Sequence, residues 1–280
     1  MKARVISAIV ALGILAGVLC FYETFVLNAA VSIIAILAIH EVLVATKYIE
    51  KKFLAGLCLA FAGFLPFMGY SVAKTLMPAV CFTFVVALFV LMIATHNTIQ
   101  IGQVGFAFFI TLVVSVSLTL LVFIRDQASQ PAEGLFYTIL ALAAAWVSDT
   151  SAFFVGRFCG KRKLAPNISP KKTVEGAVGG VVGCIVFYLL FAWAFTAICR
   201  SMDMSFQVNY LYLVLAAPVA SVAGIVGDLS FSIIKRQCAV KDFGHIMPGH
   251  GGVLDRFDSA IFAVPTIYLV IQYFPFLIRG

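Results

Sequence analysis

Apolar residues run along most of this chain in blocks of about 20, separated by short polar breaks, and each block is near the length that a hydrocarbon core of roughly 30 Å asks of a helix. The blocks are continuous and lack the strict alternation of a barrel strand. Backbone inside a bilayer must satisfy its hydrogen bonds within the protein, so the pattern predicts an all-α, polytopic membrane fold. We place about nine spans, at about 5–21, 25–46, 53–71, 76–95, 105–124, 133–155, 175–198, 210–231 and 259–278. The first has Lys2 and Arg4 ahead of its apolar run, as a cleaved signal would. Leu19 is too large for a small-residue processing site and further spans follow at once, so it counts as a membrane helix.

Composition agrees: 63% of residues are apolar, 11% are charged, and the mean hydropathy is +1.10, far outside the range of soluble domains. The basic residues orient the chain. With a cytoplasmic N-terminus, fifteen of the nineteen Lys and Arg fall on the cytoplasmic side, leaving only Lys74, Arg125, Arg200 and Arg279 opposite, which is the positive-inside bias. The net charge of +7 then reflects topology and anionic membrane lipids, and gives no reason to invoke nucleic acid. The cysteines at 20, 58, 81, 159, 184, 199 and 238 are scattered singly without a C-x-x-C and are expected to act as small core hydrophobes. We expect residues 1–130 to form the N-terminal helices one to five and 131–280 a C-terminal catalytic region, with no soluble domain.

The N-terminal half offers little chemistry. Its one notable polar pair is His40–Glu41, near the cytoplasmic end of helix two, where Lys47 is close enough in sequence for a snorkelled ion pair. Pro66 and Pro78 indicate kinks or helix starts.

The C-terminal half is different. Helix six ends in Trp146-Val147-Ser148-Asp149, and an aspartate in an apolar span costs at least a few kcal/mol unless a donor or cation meets it. A loop lysine would suffice. Beyond it, Ser169-Pro170-Lys171-Lys172-Thr173 reads as a phosphate-binding turn ahead of helix seven, where free N–H groups favour anions; an ordinary positive-inside loop reads the same way. Gly176, Gly179, Gly180 and Gly183 give overlapping G-x-x-x-G spacings, expected to serve close helix packing.

In helix eight, Ser221, Gly224, Asp228, Ser232 and Lys235 follow at intervals of three, four, four and three, one polar face continued past the apolar run. A carboxylate near a helix C-terminus opposes the helix dipole, a conflict that a bound cation resolves. Lys241 to Gly252 must be a loop, because Gly244, Pro248, Gly249, Gly251 and Gly252 interrupt any regular element. Asp255 and Asp258 then open the last apolar segment. Together with Asp228 they make a plausible hard-cation site, and oxygen-only ligation suits Mg²⁺. His245 and His250 suggest zinc less, as no cysteine pair or H-E-x-x-H accompanies them.

The run Ser232-x-x-Lys235-Arg236, Lys241-Asp242-Phe243-Gly244 and Pro248-Gly249-His250-Gly251-Gly252-x-x-Asp255-Arg256-Phe257-Asp258 resembles the signature of phosphatidate cytidylyltransferases, the CDP-diacylglycerol synthases. Gly227-Asp228 and Ser169-Pro170-Lys171-Lys172-Thr173-x-Glu175-Gly176 are similar to that family's other recurrent segments. Met247 stands where a branched aliphatic residue is usual. The resemblance spans roughly Asp149 to Asp258. It implies that CTP and phosphatidate give CDP-diacylglycerol and pyrophosphate with Mg²⁺, possible homodimers, and, with no long soluble N-terminal extension, a bacterial inner membrane. It implies metal held by Asp228 and Asp255 with a second cation, and catalytic roles for Asp228, Asp255, Asp258, Lys235 and Arg256. Ser169, Lys171, Lys172, Thr173, Ser232, Arg236, Lys241, His250, Gly251 and Gly252 would bind substrate.

Two alternatives are a CTP-dependent lipid kinase and a polytopic transporter. The kinase would release CDP instead of pyrophosphate. A transporter would more often show matched broken helices in two halves, whereas the polar residues here cluster in the second half. The D-G-x-x-A-R of CDP-alcohol phosphotransferases is absent.

Overall fold

Long apolar runs with few helix breakers dominate the structure as they do the sequence. The computed structural model describes residues 2–204, 206–247, 249 and 251–279, without the side chains of 2–8, 278 and 279. Its helices are α1 (Lys2–Cys20), α2 (Phe25–Ala45), α3 (Lys52–Phe64), α4 (Tyr70–Ala94), α5 (Ile101–Gln127), α6 (Pro131–Cys159), α7 (Val174–Ser201), α8 (Tyr210–Gln237), a single turn α9 (Leu254–Phe257) and α10 (Ala260–Tyr273). Among the described residues, six of them, α2 and α4 to α8, are long and apolar enough to cross a membrane. Two expected spans are shorter. These are α3 and α10, with 13 and 14 residues, which rise only about 20 Å.

Four short strands form the only departures from helix among the described regular elements. β1 (Lys163–Ala165) pairs antiparallel with β2 (Ser169–Thr173), and β3 (Phe206–Val208) with β4 (Leu277–Arg279). The segment expected to be a phosphate-binding turn is therefore the second strand of a hairpin. It runs directly into α7, whose N-cap is Thr173: its hydroxyl accepts from Gly176 N at 3.1 Å.

The chain divides into two units, Met1–Pro131 with Gln237–Arg256, and Ala132–Arg236 with Phe257–Gly280. In the first, the core lies between α2, α3 and α5, around Ile39, Leu43, Leu54, Ile110 and Leu118. A polar clamp ties one end of these helices. Arg125 donates to Asn28 Oδ1 at 2.8 Å and Thr24 O at 2.9 Å, and pairs with Asp126 Oδ1 at 2.8 Å. Asn28 donates to Pro66 O at 2.7 Å, while Asp126 Oδ2 accepts from Tyr70 N at 3.0 Å, placing negative charge at the start of α4.

In the second unit the glycine stripe of α7 faces α6. A Cβ at Gly176 or Gly180 would press on the carbonyl oxygens of Ala152 or Ser148 at 2.7 and 2.8 Å, and Gly179 and Gly183 lie against Val155 and Ser151. These glycines pack internally, so that face of α7 is covered by its neighbour. Tyr137 of α6 accepts from the Phe276 and Leu277 amides at 3.1 Å each, fixing the segment after α10.

Arg125→Ala removes a guanidinium that serves α2 and its neighbouring carboxylate, and should cost about 2–3 kcal/mol. A lowered thermal midpoint in detergent is the expected result; an unchanged midpoint would show that the clamp carries no stability.

Candidate active site

Two carboxylates shape the loop between α8 and α9. Glu41, near the end of α2 and 3% exposed, accepts from Val253 N through Oε1 and from Leu254 N through Oε2, each at 2.9 Å. Those amides lie where α9 begins and have no partner within it, as at any helix start. Asp255 Oδ2 accepts from Phe243 N and Gly252 N, also at 2.9 Å each, so the loop closes on its own aspartate. Met247 N donates to Gly251 O at 3.0 Å across the loop.

The glycines here are required by the packing. Gly251 has φ +86°, and a Cβ there would sit 3.1 Å from Asp255 Oδ2. A Cβ on Gly244 or Gly252 would collide with the Glu41 carboxylate. Lys241, His245 and Arg256 remain exposed around this scaffold. Pro248 and His250 lie outside the described residues.

Glu41 corrects an expectation. Closeness in sequence pairs it with Lys47, yet both oxygens face loop amides 212 and 213 positions away. An acid inside an apolar helix is the available signal; local sequence does not name its partner.

In the second unit, the polar stripe of α8 forms one face, with Ser221 fully buried, Ser232 7% and Lys235 9% exposed and Asp228 half-buried. Asp228 receives the Ser232 hydroxyl on Oδ1 at 3.2 Å and forms an ion pair through Oδ2 with Lys172 of β2. Lys235 Nζ lies 3.5 Å from Asp258 Oδ2. Asp258 and Ser259 form a turn between α9 and α10, so the two aspartates that follow the loop do not open one continuous helix. The Ser259 amide donates to Asp258 Oδ1 at 2.9 Å, and its hydroxyl donates to Asp149 Oδ2 at 2.6 Å. Ser148 and Ser221 share a hydrogen bond of 2.6 Å between α6 and α8. Gly227 lets the turn approach α8, since a Cβ there would meet Asp258 O at 2.7 Å.

This cluster brings together three carboxylates, of Asp149, Asp228 and Asp258, with two ammonium groups, of Lys172 and Lys235. Burial, then the Asp228 charge, pushes the Asp258 carboxyl up to about 7; Lys235 pulls it down and Asp149 pushes it up. Of the expected site residues, Asp228, Ser232, Lys235, Asp258 and Lys172 converge here. Asp255, Gly251 and Gly252 gather in the loop of the first unit. Lys171 is exposed, one strand position from half-buried Lys172 and so on the opposite face. Ser169 begins β2, Thr173 caps α7, and Arg236 is exposed with Nε donating to Ile168 O at 3.3 Å. Ser259, which completes the cluster, carries no signal in the sequence beyond its place after Asp258. Among the described residues, no group of three or more His, Cys, Asp or Glu side chains is arranged to hold a metal ion.

Comparison with known proteins connects this arrangement to named sequences. The chain is 38% identical to the phosphatidate cytidylyltransferase of Bacillus subtilis over 68% of each chain. It is 30% identical to that of Staphylococcus haemolyticus over 97% of this chain and 99% of the relative. The sequence model described as "Cytidylyltransferase family" matches residues 2–274. A match that runs through the N-terminal helices as well as the signature loops leaves one conclusion: the chain belongs to the cytidylyltransferase family.

Proposed function

We propose that this protein is a phosphatidate cytidylyltransferase of a bacterial inner (plasma) membrane, converting CTP and phosphatidate to CDP-diacylglycerol and pyrophosphate. The observation that carries this reading is the match, along 97% of the chain, to a bacterial relative of that name. The cytoplasmic side is supported by the distribution of Lys and Arg.

The chemistry follows from the substrates. A phosphate oxygen of the lipid forms a bond to the α-phosphorus of CTP, and the bond from that phosphorus to the β-phosphate oxygen breaks in line. The monoester is already largely ionised near neutral pH, so attack needs no strong base. What the protein must supply is placement of two polyanions that repel each other, and charge to offset the leaving pyrophosphate. Lys172 and Lys235 are held within the carboxylate cluster; Arg236, Lys241 and Arg256 are exposed basic groups suited to phosphate. Release of the Lys172 ammonium from Asp228 to a substrate phosphate would free a carboxylate oxygen as nucleotide arrives. The acyl chains stay in the bilayer while the headgroup reaches the polar residues.

Mg²⁺ is part of this proposal. The donors are oxygens, and in the buried cluster carboxylates outnumber ammonium groups, so an added divalent cation fits the local charge. Asp228 in this cluster and Asp255 in the loop of the first unit are each proposed as cation ligands, and the phosphate charge that arrives with CTP would accommodate a second cation. Such an ion is commonly held by one or two carboxylates, with waters and substrate phosphates completing the shell, so no preformed protein cage is needed. The two amides on Oδ2 of Asp255 set the direction of its carboxyl, as outer donors do for a ligating group. When bound, the ion would polarise phosphoryl oxygens and carry part of the leaving-group charge.

Purified protein should release pyrophosphate only when CTP, phosphatidate and Mg²⁺ are all present; release without the lipid would contradict the assignment. Asp228→Asn should lower kcat/KM by about 100-fold or more in a protein that still elutes as the folded species, and near-normal turnover would remove Asp228 from the site. Lys172→Ala should raise KM for CTP or phosphatidate by about tenfold, with Lys172→Arg recovering part of it. An unchanged KM for both substrates would return the β1–β2 hairpin to an ordinary basic loop.

A further inference from the structure

Glu41 lies far upstream of the chain's other site groups, beside His40 on α2, yet it is deeply buried at 3% exposure. Burying an ionised acid in an apolar helix is costly unless donors meet it. An alanine or leucine would suit α2 better. Its two oxygens instead meet two consecutive amides, Val253 and Leu254, at the start of the turn that carries Asp255 and Arg256. Two glycines of the loop, Gly244 and Gly252, leave room for that carboxylate and for nothing larger on themselves. Two charge-assisted hydrogen bonds from adjacent amides fix both the position and the rotation of a short segment, which a single bond or apolar packing does not.

We propose that Glu41 is a positioning residue for cytidylyl transfer: it anchors Val253 and Leu254, at the start of α9, to α2, so that Asp255 and Arg256 are presented in one orientation. The inference rests on the proposed function. Glu41 touches no substrate and acts through the loop. Because positioning matters most in the transition state, its loss should fall on kcat more than on KM.

The test compares full-length wild type with Glu41→Gln, measuring steady-state turnover, thermal midpoint and amide hydrogen exchange. Glutamine keeps the shape but loses the charge and one acceptor. Exchange should rise in peptides covering 243–256 and stay at wild-type levels in α3 and α5, while kcat falls about 10–100-fold and KM for each substrate shifts far less. Glu41→Asp, which keeps the charge on a shorter arm, should recover part of kcat. Gly244→Ala approaches the same contact from the loop. Its Cβ collides with the carboxylate, so it should reproduce the kcat loss alone and add little in a Glu41→Ala background, where the space is free. A wild-type kcat in Glu41→Gln, unchanged exchange in 243–256, or a kcat loss that comes only with raised exchange throughout α3 and α5 would each overturn the inference. Failure of the wild type to make a CDP-lipid would sink the functional reading instead, and the exchange data would still report whether Glu41 holds the loop.

Discussion

A carboxylate inside a bundle of membrane helices costs several kcal/mol unless donors meet it, and the structure is arranged around meeting that requirement. Glu41 is answered by two loop amides, Asp149 by the Ser259 hydroxyl, Asp228 by Lys172 and Ser232, and Asp258 by Lys235 and the Ser259 amide. Most of these answers come from another element, so the acids knit together segments that apolar packing alone would leave free to slide. Ion pairs of this kind are weak evidence for stability. Their value here is orientation, together with a charge balance that leaves the cluster of the second unit short of positive charge. That shortage suits a nucleotide enzyme, because the missing cation can arrive with the substrate.

The amphipathic record is legible where it is local. The polar stripe of α8 follows from helical spacing, and the glycine-rich loop from the residues that forbid a regular element; both stand in the structure as expected. The apolar blocks mark the helices, although α6 and α8 run further than hydropathy suggests because their polar ends remain helical: α6 continues to Cys159 and α8 to Gln237. At α3 and α10 the difference runs the other way. The apolar run after α3 tightens into a 3-10 turn at Leu65–Phe67, and α10 ends at Tyr273 although apolar residues continue beyond it.

What the sequence conceals are pairings between distant positions. Nothing near Glu41 names Val253 and Leu254 as its partners, and Lys47 is the nearer and misleading choice. The β1–β2 hairpin is hidden because Ser169-Pro170-Lys171-Lys172-Thr173 reads as a loop, and only cross-strand pairing with Lys163–Ala165 makes it a strand. That pairing matters chemically, since strand alternation turns Lys172 toward Asp228 and leaves Lys171 exposed. The glycines of α7 are recognisable as packing residues from their spacing, but the identity of α6 as their partner needs the fold.

If these buried acids and bases serve transfer of a cytidylyl group to a lipid phosphate, each phosphorus of CTP has a defined destination, and following them is the most direct measurement. Purified protein is given phosphatidate and Mg²⁺ with CTP labelled at either the α- or the γ-phosphorus. The predicted result is α-label in the lipid phase and γ-label in pyrophosphate; γ-label in the lipid would show phosphoryl transfer instead, and would contradict cytidylyl transfer.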